Sequence, residues 1–226
     1  MQKKAILDGC NAKKLTDKDV ERLGSIVRPY YTDKRFRHAL AVEEEAAAIG
    51  KIYMPDDVQR LRAASLLHDI TKKDDLKKQL QYCEEFGIIV KQEDLLSPKI
   101  FHAKTAAALA AVRFADYIDE DIVSGVKWHT TGHWGMTVFE SIIYLADWIE
   151  PTRDFPDCIT LRNYFYDKLQ AAGGHDDDLS VLHDTMIYSF DLTIKNLISD
   201  MSAVDVDTIG ARNYFLGEKV ESNSER

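Results

Sequence analysis

His68 and Asp69 stand side by side at the end of an apolar run that closes on Leu66-Leu67. A neutral imidazole next to a carboxylate offers one nitrogen and one oxygen ligand to a divalent cation. Burying an unpaired ionised carboxylate costs on the order of several kcal/mol, so the pair must either bind a cation or find a partner. Asp147 raises the same question, set among Leu145, Ala146, Trp148 and Ile149. It also has an ordinary reading, since Glu140, Tyr144 and Asp147 fall at i, i+4 and i+7, the polar stripe of an amphipathic helix. His38, His102 and His129 stand, like His68, where a helix ordinarily presents an apolar or small residue. Taken singly, each reads equally well as a satisfied core histidine. Together, these histidines and the two aspartates, spread over several predicted helices, are what a bundle needs to build a metal site from facing side chains.

The elements that must position them follow from periodicity and punctuation. Thr16-Asp17 reads as the cap of a helix that runs to about Arg28, where Pro29 stops it. From Asp33 the apolar spacing of Phe36, Leu40, Ala47 and Ile52 predicts a second helix ending near Gly50. Pro55-Asp56-Asp57 forms a turn, and residues 58–70 follow as a helix with Leu61, Ala64, Leu67 and His68 on one side. Lys72 to Cys83 is charged and helix-forming, a solvated helix or one edging the site. After Ser97-Pro98, residues 100–115 are an alanine-rich helix, and residues 117–129 a shorter one leading into the loop Thr130 to Gly135. A helix from Thr137 is closed by Pro151, and Leu161 to Ala171, Ser180 to Met201 and Thr208 to Leu216 are helical. The expected organisation is an N-terminal lead-in over residues 1–15, one all-α domain over 16–217 with a metal site in its core, and a frayed polar tail over 218–226.

Composition supports this frame. The chain has 226 residues, enough for one well-buried core, with 45% hydrophobic residues and only 11 Gly and 5 Pro. Its 29 Lys and Arg against 38 Asp and Glu give a net charge of −9, which argues against long nucleic acid and leaves room for a small anionic substrate at a locally positive site. Cys10, Cys83 and Cys158 form no CxxC pair, so neither a zinc ribbon nor a disulfide framework is indicated, and a reducing cytoplasm fits. No signal-like or membrane-spanning apolar run is present. The apolar helices at Ile100 to Ala115 and Ser180 to Met201 pack either internally or against a second copy, so a homodimer stays open.

The order His38, His68-Asp69, Asp147 resembles the metal-binding signature of the HD phosphohydrolase superfamily, and His102 and His129 match the extra ligands of its two-metal branches. The segments RFRHALAV, LLHDITK, HAKTAAALA, WHTTG, IIYLADWIEPTRDF and TIGARNYFL are similar to successive motifs of the symmetrical diadenosine tetraphosphate hydrolase branch. The resemblance covers residues 16 to 217. Ser141 stands where that family usually has a basic residue, and Ala106-Ala107 where Gly-Ala is common. Neither departure touches an expected ligand.

The resemblance implies an HD-type helical bundle holding two divalent ions bridged by Asp69, with iron favoured and manganese, cobalt or zinc equally suited to the ligands. Asp69 would orient the nucleophilic water. Lys72 would meet a phosphate as a point charge, although its charged stretch is also an ordinary solvated face. Arg35 and Arg153 are candidates to fork onto phosphate oxygens. Thr130, Thr131 and Gly132 would offer hydroxyls and free amides, and Trp134 a stacking surface for a base. Gly132 and Gly135 equally suit a plain turn, and His133, His175 and His183 fall outside the site. The expected activity is symmetrical cleavage of diadenosine tetraphosphate to two ADP. The alternatives are another HD hydrolase acting on a nucleoside monophosphate or a guanosine alarmone, a nucleotide sensor with little turnover, or a structural protein whose histidines only hydrogen-bond in the core.

Overall fold

The Thr16 side chain accepts a hydrogen bond from the Asp19 amide, and the Asp19 carboxylate accepts one from the Thr16 amide, a reciprocal cap that starts α1 (Asp17–Val27). The computed structural model describes residues 14–224. A 3-10 turn at Arg28–Tyr30, fixed by Pro29, separates α1 from α2 (Asp33–Tyr53), which Thr32 caps. The Pro55–Asp57 turn leads into α3 (Val58–Leu67). Asp75 caps α4 (Leu76–Glu85), and after two 3-10 turns comes α5 (Phe101–Arg113). Asp119 caps α6 (Glu120–Trp128), and Thr137 with Glu140 forms a second reciprocal cap at α7 (Val138–Ile149). The chain ends with α8 (Pro156–Ala171), α9 (Ser180–Ser199) and α10 (Val206–Ser224). No strand occurs among the described residues, as the all-α reading expects.

Helix α7 is the axis of the bundle. Phe139, Ile142, Ile143, Tyr144, Leu145, Ala146 and Ile149 are all buried, so it is covered on every side. It packs against α2, α3, α6, α8 and α9, while α2 lies along α3 and α9 along α10. Each fully buried Leu or Phe on these faces contributes about 1.5–3 kcal/mol of transfer free energy. Phe101, Ala103, Ala106, Ala107, Leu109 and Ala110 bury the apolar face of α5 inside the chain. No helix among the described residues is long and apolar enough to cross a membrane.

The structure departs from the sequence reading in five places. Glu140, Tyr144 and Asp147 are not a solvated stripe, since all three are buried. Helix α3 ends at Leu67, so His68 caps it and Asp69 lies in the turn beyond. Helix α4 begins at Leu76, not Lys72, because Asp75 caps it. Helix α8 starts five residues earlier than read, at Pro156, whose fixed φ suits the first helical turn. The C-terminal segment also differs, since α10 continues through Glu218 to Ser224 where a frayed tail is expected. Good helix formers such as Glu218 and Lys219 sustain it there without an apolar stripe. Residues 1–13 of the expected lead-in lie outside the described residues.

Gly132 shows what the loop after α6 needs. Its φ of +61° lies in the left-handed region, and a Cβ there would stand 2.7 Å from Phe190 Cζ, 2.8 Å from Met136 Sδ and 2.9 Å from Ala211 Cβ. Backbone strain and overpacking act together at this position. Gly132→Ala is expected to destabilise the protein by about 2–4 kcal/mol in urea unfolding, with the metal content of the folded fraction unchanged.

Candidate metal centre

Five helices deliver the six expected ligands to one place. His38 comes from the second turn of α2, His68 from the C-cap of α3 with Asp69 next in the turn, and His102 from the first turn of α5. His129 is the C-cap of α6, and Asp147 lies in the last turn of α7. The histidines are held by one repeated device. Nδ1 of His68 lies 2.6 Å from Ser65 O, Nδ1 of His102 2.5 Å from Lys99 O, and Nδ1 of His129 2.7 Å from Val126 O. Each is a bond to the carbonyl three residues earlier, which only a protonated Nδ1 can donate. His38 Nδ1 instead donates to Glu150 Oε1, 3.0 Å away.

These bonds turn all four Nε2 atoms toward the two aspartates. Asp69 Oδ2 lies 3.6 Å from His68 Nε2 and 4.0 Å from His38 Nε2, and Asp147 Oδ1 lies 2.9 Å from His38 Nε2 and 3.8 Å from His68 Nε2. The other oxygen, Asp69 Oδ1, lies 3.2 Å from His102 Nε2 and 3.5 Å from His129 Nε2, and those two nitrogens are 3.1 Å apart. With the protons of His68, His102 and His129 committed to Nδ1, lone pairs face lone pairs. Buried His68 Nε2 and Asp69 Oδ1 find no hydrogen-bond partner among the described residues. Ligand atoms of His38, His68 and Asp147 lie within 4.8 Å of one another, as do those of His68, Asp69 and His129. An imidazole and carboxylate set of this kind fits a divalent transition metal.

Electrostatics suit a cation. Burial pushes His68 down to about 3 and His102 down to about 4, so both rings are neutral at pH 7. Burial alone would raise Asp69 and Asp147. The neighbouring His68 and Lys72 hold Asp69 well below the usual carboxylate range, and Arg153 and His38 do the same for Asp147. Ligation demands neutral imidazoles and ionised carboxylates. His38 differs: burial disfavours its charged form, yet hydrogen bonds to Asp147 and Glu150 raise it to about 9. Metal bound at His38 Nε2 would have to displace that proton.

An open cleft of about 600 Å³ reaches this cluster, and Arg35, Lys72, His102, His129, Thr130, Asp147, Trp148 and Arg153 are among its lining residues. A larger cleft of about 830 Å³ lies between α1 and α2, lined by none of the six expected ligands. Lys72 Nζ is 2.9 Å from His102 Nε2 and 3.4 Å from Asp69 Oδ1, and Arg35 Nη1 is 3.7 Å from Asp69 Oδ2. Arg153 Nη2 donates to Asp147 Oδ1 at 2.5 Å, and Thr130 Oγ1 is 3.3 Å from His102 Nε2. Thr131 and Gly132 turn inward instead. The buried Thr131 hydroxyl donates to Gly132 O, and the Gly132 amide donates to Trp128 O, so the free groups expected of that loop are already committed. Trp134 is largely exposed against Tyr214 and is not among the residues lining the cleft, whereas Trp148 is.

Sequence reasoning passes over Glu150, taken only as the end of a helix. Its carboxylate is fully buried, accepts from His38 Nδ1, and also accepts from the Thr152 amide at 2.6 Å. Glu150 lies one turn beyond Asp147, and nothing in the sequence points from it to His38, 112 residues away. Groups that orient a ligating histidine typically tune metal affinity 10–100-fold. Glu150→Ala is therefore expected to weaken divalent-metal binding by about 10–100-fold in chelator competition, with helical content retained.

The HD domain family model matches residues 35–152, which span His38 through Asp147. A Staphylococcus aureus protein named symmetrical bis(5'-nucleosyl)-tetraphosphatase is 32% identical over 152 residues, 66% of this chain and 76% of that one. A Halalkalibacterium halodurans protein of the same name is 29% identical over 196 residues, 86% of this chain and 95% of that one. Among solved structures, a Clostridium acetobutylicum protein described as a predicted HD superfamily hydrolase involved in NAD metabolism superposes with a TM-score of 0.74 at 32% identity, covering 87% of this chain and 96% of that one. HD domains bind divalent metals, and the convergent histidines and aspartates are in keeping with that. By family match, sequence identity and shared architecture, the chain belongs to the HD-domain phosphohydrolases and, among them, to the symmetrical bis(5'-nucleosyl)-tetraphosphatases.

Proposed function

We propose that the chain cleaves diadenosine tetraphosphate symmetrically into two ADP molecules. The observation that carries this reading is the set of buried, proton-free donor atoms at His68 and Asp69 beside a cleft lined by Arg35, Lys72 and Arg153. The activity named for the relatives supplies the substrate. In this reading His38, His68, Asp69 and Asp147 would hold one divalent cation, and Asp69, His102 and His129 would hold a second. Iron is the metal the family resemblance favours, with manganese, cobalt and zinc suited to the same ligands. Such ions, when bound, supply a water of lowered pKa and neutralise charge on phosphate.

The chain's own residues supply orientation and charge. Asp69 fixes the direction of the attacking water. Lys72, as a compact ammonium, takes a phosphate oxygen, and Arg35 and Arg153 present planar forks to the neighbouring phosphates. Thr130 donates its hydroxyl to a phosphate or ribose oxygen. The water oxygen joins one of the two central phosphorus atoms, and the bond from that phosphorus to the central bridging oxygen breaks. ADP leaves with that oxygen, and the water's protons pass to the product phosphates or solvent. The net charge of −9 supports a small substrate over long nucleic acid, and the reading puts the activity in the cytoplasm.

Protein purified without chelator or added metal is expected to carry divalent metal by elemental analysis and to give ADP alone by chromatography. His68→Ala and Asp147→Ala should lose both metal and ADP. Lys72→Ala should keep the metal and lose about 100-fold in kcat/KM. ATP with AMP as products would replace symmetrical with asymmetrical cleavage. Metal without ADP would direct the site to another nucleotide, and no metal even after reconstitution with iron or manganese would overturn the reading.

A further inference from the structure

The turn that follows α7 carries two side chains to the centre from opposite ends. Glu150, at its start, holds His38 Nδ1, and Arg153, at its end, donates to Asp147. Between them lie Pro151 and Thr152, and the turn has a single described internal backbone bond, from the Arg153 amide to Glu150 O at 3.1 Å. The last carbonyls of a helix have no partner within it and need one from outside. One side chain supplies it. Arg162 of α8 donates from Nε to Ile149 O at 2.5 Å, and from Nη2 to Glu150 O at 2.6 Å and Arg153 O at 2.9 Å.

We infer that Arg162 is a positioning residue of the metal centre, setting His38 and Asp147 through the Glu150–Arg153 turn. The inference rests on the hydrolase reading for its effect on catalysis but not for its effect on the histidine. Arg162 reaches the last carbonyl of α7 and two of the turn, and among the described residues it is not one that bonds to the six expected ligands or lines the cleft. Its influence therefore runs through Glu150 and Arg153. A rigid planar fork is the group suited to bind three carbonyls at fixed angles while bringing positive charge to a helix C-terminus. A lysine restores the charge without the fork. Across the same packing, Tyr166 of α8 donates to Glu45, which lies two turns beyond His38 on α2. The helix carrying Arg162 is thus tied independently to the helix carrying His38.

The test compares Arg162→Ala, Arg162→Lys and a control, Lys168→Ala, which removes another cation from α8, one paired with Asp184. The first readout is the imidazole 15N–1H spectrum of metal-free protein, which needs neither metal nor substrate. Arg162→Ala is expected to lose the protected Nδ1–H signal of His38, Arg162→Lys to keep it in part, and Lys168→Ala to keep it whole. The second readout is manganese affinity by chelator competition, expected to fall about 10–100-fold in Arg162→Ala and to recover in millimolar guanidinium, with Lys168→Ala unchanged. The third is kcat, expected to fall more than KM rises. An Arg162→Ala protein with lower thermal stability but the wild-type His38 signal and manganese affinity overturns the inference. A wild type that binds neither manganese nor iron overturns the hydrolase reading instead, and the His38 signal then still decides the role of Arg162.

Discussion

Asp69 is a buried carboxylate whose two oxygens face in different directions, and three of the four imidazole nitrogens around them, those of His68, His102 and His129, have no proton to give. Oδ2 looks toward His38 and His68, and Oδ1 toward His102 and His129. Desolvating such a group costs several kcal/mol even after relaxation, and facing it with lone pairs adds repulsion. Only positive charge relieves that arrangement. The protein supplies part of it through Lys72 and Arg35, and the remaining donor atoms suit a divalent cation. The rest of the bundle must hold these atoms together against their own preference to separate.

Helix ends are the means. His68, His102 and His129 each bond back to the carbonyl three residues earlier, at the last or first turn of a helix. That one bond fixes the tautomer and aims Nε2 outward from the helix, and for His68 and His129 it also satisfies a carbonyl at a helix C-terminus. Three helices thereby present an imidazole nitrogen by local geometry alone, and their packing around α7 brings these nitrogens to a common point. Further back, Thr71 Oγ1 donates to His102 O at 2.9 Å, and Gln79 of α4 donates from Nε2 to Thr71 O at 2.5 Å. The turn carrying Asp69 is thus tied to the helix carrying His102.

Much of this is legible in the sequence, and what is not has identifiable physical reasons. The residues of the cluster are visible because a histidine or aspartate amid Leu, Ile and Ala is anomalous whatever the fold. Caps at Thr16, Asp119 and Thr137 are visible because they are local. Depth is not local. The i, i+4, i+7 spacing of Glu140, Tyr144 and Asp147 describes a face of a helix, and only packing on every side of α7 shows that this face is buried. The loop after α6 is read as an open cradle because its glycines and threonines suit one, but α9 and α10 press against Gly132 through Phe190 and Ala211. Glu150 escapes notice because its partner, His38, lies 112 residues away, and no pattern of spacing within one helix encodes that pairing.

Charge is arranged on two scales. Over the whole chain acidic residues prevail, while Arg35, Lys72, Lys99 and Arg153 gather along one cleft. The global field disfavours long polyanions, and the local one favours a compact anion that can enter. Two of these cations have double duties: Arg153 pairs with Asp147, and Lys72 lies against both Asp69 and His102. An isolated phosphate would compete with those carboxylates for the same donors. Divalent cations at the carboxylates would lessen that competition, freeing arginine and lysine to meet phosphate oxygens. Metal and anionic substrate therefore favour one another at this site, for the ordinary reason that each takes a partner the other would otherwise need.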